Sequence, residues 1–146
     1  MLACDDWGIM PLTYRIDTDA QILFVRGEGV ITQPERILAM FTWMNDSAFR
    51  PGLDTFCDFT GTASTPKLSE LREVVELIGQ RASAIGPTKL AILTAKPITF
   101  GVAKVFEALA EVEKTPLEVR VFFDRDLAWA WLRPGTPPSE VSDPRR

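Results

Sequence analysis

Asp58 and Lys96 are the side chains in this sequence best suited to moving a proton or gripping a polar ligand, because each closes a short β-prone run. An aspartate beside a lysine works as an acid/base pair or a charged clamp when the strands carrying them lie side by side. Thr60, Thr94 and Asp124 fall at matching positions. In open α/β sheets ligands sit beyond the carboxyl ends of the strands, so these five residues define a default edge for binding. The plainer role for Asp58 is to hydrogen-bond its own loop through Thr60 or Gly61. Cys57 points to the opposite side of the strand from Asp58. Its hydrophobic setting raises a thiol pKa and no base stands near it in sequence, so it reads as an inert core residue.

The chain contains no histidine. That removes the side chain most used for proton transfer near neutral pH, and with it the usual catalytic triads and most zinc sites. The glycines at Gly86, Gly101 and Gly135 stand alone and form no phosphate-cradling loop. Gly101 is expected to let its helix approach either a ligand or the sheet closely. No catalytic residue, metal or cofactor is assigned.

These groups need a scaffold, and 146 residues with 46% hydrophobic and 25% charged side chains suffice for one globular core. The formal net charge is −4 and basic residues cluster only at Arg145 and Arg146. A mildly acidic domain without a basic stripe makes a poor nucleic-acid binder. Cys4 and Cys57 form no disulfide framework, no apolar run approaches the roughly 20 residues of a membrane span, and a cytoplasmic location is expected. Residues 1–9 read as a loose arm, 10–132 as the domain, and 133–146, with Pro134, Pro137, Pro138 and Pro144, as a disordered tail.

Within the domain, Thr13 to Asp17 and Gln21 to Glu28 predict a β-hairpin about a polar turn. Thr32, Pro34 and Glu35 predict a capping box that starts a first helix reaching about Asp46, with Ile37, Leu38, Phe41 and Met44 as its buried stripe. A third strand at Thr55 to Phe59 precedes a second helix capped by Ser69, whose stripe is Leu71, Val74, Val75, Ile78 and Ala82. Lys89 to Ala95 is a central strand. A third helix from about Phe100 to Lys114 buries Val102, Val105, Phe106 and Leu109. Leu117 to Phe123 forms the fifth strand, and a last helix, Asp126 to Leu132, packs Leu127, Ala130 and Trp131. The order is ββαβαβαβα, an α/β fold with a mixed, mainly parallel sheet and helices packed on it.

This order, with Cys57-Asp58-Phe59-Thr60-Gly61 ending a strand, resembles the STAS domains of anti-sigma-factor antagonists (SpoIIAA-like) over about Pro11 to Leu132. The phrases MPLTYRID, Phe49-Arg50-Pro51-Gly52, Phe100-Gly101-Val102-Ala103 and Ala128-Trp129-Ala130-Trp131-Leu132 resemble the small uncharacterised bacterial branch. The resemblance implies a non-enzymatic regulatory or protein-interaction domain. The family's switch is a serine in an Asp-Ser-Ser-Gly motif, and alignment through Asp58 and Gly61 puts Pro66 and Lys67 at its first two positions, so the motif is missing. Ser69 is the nearest hydroxyl at a helix start, where a phosphate would be stabilised.

Met40 and Trp43 widen the apolar sector of the first helix beyond what one sheet face needs, marking either a homodimer face or a pocket for a small apolar or lipid-like ligand. Trp129 beside Trp131 invites the same reading. Three functions follow: an interaction domain with a protein partner, a carrier of an apolar ligand, and, weakest, an enzyme using Asp58 and Lys96.

Overall fold

The computed structural model describes residues 11–135. Asp17 nucleates the first turn: its carboxylate accepts the backbone N–H groups of Asp19 (3.1 Å) and Ala20 (3.0 Å). The turn joins β1 (Leu12–Asp17) to β2 (Ile22–Gly29) as an antiparallel hairpin. Thr32 then caps α1 (Gln33–Met44): its hydroxyl accepts the Glu35 N–H (3.3 Å) while its own N–H donates to the Glu35 carboxylate (2.9 Å). This reciprocal pair satisfies two N–H groups that a helix start otherwise leaves open.

The remaining elements are β3 (Asp54–Thr62), α2 (Leu68–Gln80), the single turn α3 (Ala82–Ile85), β4 (Thr88–Leu93), α4 (Pro97–Val112), β5 (Leu117–Phe122) and α5 (Arg125–Leu132). The five strands lie side by side in chain order, and every pair after the hairpin is parallel. Each crossover steps to the next strand in the same direction, so right-handed connections put α1, α2 and α4 on one face. Strand alternation divides the core accordingly. Leu23, Val25, Cys57, Ile92 and Val119 cluster with Met40, Val74, Ile78 and Phe106 of those helices. Phe24, Phe56, Ala91 and Leu93 cluster with Ala128, Trp129 and Leu132 of α5 on the other face.

The element order is the expected one with α3 added, and three helical stripes are turned from their expected positions. On α1 the fully buried residue is Met40, whereas Leu38 is exposed. On α4 Ala103, Phe106 and Ala110 are buried and Val105 is exposed. On α5 Ala128, Trp129 and Leu132 are buried, while Leu127 and Ala130 face solvent. In each helix the apolar run is broader than its contact, so the choice of inner face falls to the sheet. Helix α4 also starts three residues early, with Pro97 in its first turn, where a missing N–H does no harm.

Strand β3 runs three residues beyond Phe59 because it carries a bulge. Arg26 pairs with Asp58 but Glu28 pairs with Gly61, so β3 holds one extra residue. The insertion reverses the alternation beyond Asp58. Arg133, placed in the tail on composition, closes the domain instead: it pairs with the Asp54 carboxylate and donates to the carbonyls of Ala20 and Gln21, each at 3.0 Å. The expected arm, Cys4 and the rest of the tail beyond Gly135 lie outside the described residues.

Candidate functional site

At the carboxyl edge of the sheet, Asp58 is buried on the α5 face. One of its oxygens accepts the backbone N–H (3.0 Å) and hydroxyl (2.6 Å) of Thr60, and the other meets the Arg125 guanidinium at 2.5 Å. Arg125 also lies 5.3 Å from the Phe56 ring centre. Lys96 is exposed at the start of α4 and donates to the Thr62 carbonyl at 3.2 Å. Although β3 and β4 are neighbours, Asp58 and Lys96 are thus held by different partners. Thr94 is fully buried and donates to the Phe122 carbonyl at 3.3 Å. Asp124 caps α5 by accepting the Leu127 N–H at 3.0 Å.

Ser69 does not cap α2. Lys67 holds the cap position, where its N–H donates to Glu70 at 2.8 Å, and Ser69 lies exposed in the first turn. A glutamate three residues after the cap satisfies that donor, which the Ser-first reading overlooked. Cys57 is buried, and burial followed by the Asp58 charge pushes its thiol up to about 12. It stays protonated near neutral pH and is a weak nucleophile.

Beneath α1, α2 and α4 the opposite face holds a partly open cavity of about 190 Å³. Its sheet wall includes Leu23, Cys57 and Ile92, and its helical walls include Met40, Trp43, Val74 and Phe106. Phe49, Leu53 and Ile85 line the end nearest the amino ends of β3 and β4. At the other end the half-exposed residues Ile31, Arg36, Ser64 and Thr65 form a mouth. The β3 bulge matters here, since it puts both Phe59 and Thr62 in the lining. Gly27 leaves them room: a Cβ there would meet Phe59 at 2.9 Å and Thr62 at 3.0 Å.

Arg36 brings the one charge to this lining. It donates to the Gln33 side-chain oxygen at 2.5 Å and to the Ile31 carbonyl at 3.5 Å. Gln33 in turn donates to the Glu70 carbonyl (3.0 Å) and the Glu73 carboxylate (2.8 Å), so a polar bridge spans α1 and α2 at the mouth. Burial pulls the Arg36 pKa down and the Glu70 charge pulls it up. Met40 and Trp43, singled out by sequence, line this cavity. Arg36 was missed, yet it precedes Met40 by one helical turn and shares its face. Trp129 lies in neither a surface patch nor this cavity: it is buried and stacks on Phe56 at 4.7 Å between ring centres.

No helix in the described residues is long and apolar enough to cross a membrane, and none of those residues group as three or more His, Cys, Asp or Glu able to hold a metal. No protein-family model matches the chain, and no curated protein does. Among solved structures, an uncharacterised protein of the DUF3478 family from Shewanella loihica PV-4, with a SpoIIAA-like fold, is similar. It is 17% identical with a TM-score of 0.54, over 83% of this chain and 93% of that one. At that identity the likeness concerns architecture alone. With the mainly parallel five-stranded sheet and its helices, it shows that this chain has a SpoIIAA-like fold.

Proposed function

We propose that this chain is a non-enzymatic cytoplasmic binding protein that takes up a small apolar molecule between its sheet and α1, α2 and α4. The cavity of about 190 Å³ carries this reading. Protein interiors are packed to crystal density, with few voids larger than a water molecule. A partly open cavity lined almost wholly by apolar side chains favours an apolar guest over water. An apolar occupant restores the missing contacts. The engagement of Asp58 by Arg125 and Thr60, and the protonated Cys57 thiol, support binding over catalysis. Pro66 and Lys67 at the start of α2 support a role without the family's serine switch.

A second reading, a protein-interaction surface, is favoured by exposed apolar residues at the carboxyl edge: Val30, Leu68, Ile98 and Phe123. Calorimetric titration with 1-octanol separates the two. The cavity reading expects saturable one-site binding, lost in Val74→Phe, whose ring fills the space while circular dichroism and Tm hold. No heat and no Tm change with 1-octanol sinks the cavity reading and leaves the edge as the working surface.

A further inference from the structure

We propose that the ligand is a monoanionic amphiphile, with its carboxylate or like oxyanion at Arg36 and an alkyl or aryl body running inward toward Phe49 and Ile85. This rests on the cavity reading and adds the chemical class of the occupant.

The wall is uneven along its length. Inward from the mouth, Leu23, Met40, Val74, Ile78 and Phe106 offer only apolar surface. At the far end the Thr88 hydroxyl is committed: it lies 2.5 Å from the Leu53 carbonyl and 3.0 Å from the Asp54 carboxylate. Thr55, the other hydroxyl in the lining near that end, is a single group among apolar neighbours, so a sugar finds few partners there.

Arg36 stands at the opposite end. A guanidinium has five N–H donors, and the two acceptors here, the Gln33 amide and the Ile31 carbonyl, are neutral. Among the described residues no carboxylate reaches ion-pair distance of Arg36, and the acidic neighbour whose charge it feels, Glu70, has its oxygen on the Lys67 N–H at 2.8 Å. Glu70 therefore acts on Arg36 only through space, and an oxyanion with its tail in the cavity supplies the direct ion pair that this half-buried cation lacks. Ser64, also in the lining, accepts the N–H of the same Ile31 at 3.0 Å, which leaves its hydroxyl proton to donate to the anion.

Volume sets the body. A dry apolar cavity of ~150 Å³ holds benzene. The roughly 190 Å³ here therefore suits a chain of about eight carbons rather than a long fatty chain.

The test is titration of the full chain and of Arg36→Gln with octanoate and with 1-octanol at pH 7. The expected result is that octanoate binds the native chain about tenfold or more tighter than 1-octanol, as charge-assisted hydrogen bonds allow. In Arg36→Gln that preference disappears while 1-octanol still binds, which also reports that the variant is folded. Equal affinity of the two probes for the native chain, or a preference that survives Arg36→Gln, overturns the assignment and leaves the cavity reading standing. Failure of both probes on the native chain overturns both.

Discussion

Phe56 and Cys57 are neighbours in β3, yet they look into opposite kinds of interior. Phe56 meets Trp129 face to face, with rings 4.7 Å apart and 13° from parallel, and Phe24 closes on the same indole at 5.7 Å. One eight-residue helix, α5, covers that face, held to the sheet by Arg125 on Asp58 and Arg133 on Asp54. Cys57 looks instead into the cavity beneath three helices. Large interlocking rings under a short, tethered helix leave no room for a guest. Flexible or branched side chains such as Met40, Val74 and Ile78 under separate helices do. One sheet thus divides its labour: the α5 face carries rigidity and the other face carries space.

The sharpest way to break that comparison is truncation on each side. Trp129→Ala removes a fully packed indole and is expected to cost about 3–5 kcal/mol by urea unfolding. Met40→Ala, whose side chain borders the cavity, is expected near the low end of such truncations, about 2 kcal/mol. Equal losses would show the two faces to be equally packed. Asp58→Asn comes next. It removes the Asp58 charge from the largely buried Arg125, and a loss of about 2 kcal/mol is expected, below the full value for a buried pair because Arg125 retains some solvent. Binding of 1-octanol on the far face is expected to persist in this variant, and its loss would mean that the faces are coupled.

The division was only partly readable along the chain. The alternating order of strands and helices, the hairpin about Asp17 and the Thr32–Glu35 capping box depend on residues close in sequence, and all are legible there. Trp129 was not, because Leu127, Trp129, Ala130 and Trp131 offer α5 more than one apolar face and only Phe24 and Phe56 decide among them. Arg125 and Arg133 act across 67 and 79 residues, and no local pattern marks such pairs. Met40 and Trp43 were visible as apolar surplus. Arg36, on the same helical face, was passed over because a lone arginine on a helix is ordinarily solvated.

The smallest effect concerns how α1 is tethered over the cavity. Tyr14 of β1 donates its hydroxyl to Asp46, just past α1, at 2.6 Å, and its ring meets Trp43 edge-on at 6.1 Å. Burial, then the hydrogen bond to Asp46 and its charge, pushes the phenol up to about 12. The same hydrogen bond, then the Ala48 N–H, holds Asp46 below the usual carboxylate range. A raised phenol pKa means that the folded chain keeps its proton longer than the unfolded one, so this stabilisation is whole below about pH 10 and is lost as pH climbs toward 12. The depressed Asp46 works in the other direction: its share is present above about pH 4 and fades as pH falls through its folded value. The stability difference between the native chain and Tyr14→Phe is therefore expected to be flat from about pH 5 to 9 and to shrink above about pH 10, with Trp43 fluorescence shifting in step. A difference that stays constant to pH 12 would mean that the phenol plays no part in holding α1. The three-helix face would then owe its cover to apolar contact alone, as the α5 face owes its core to stacked rings.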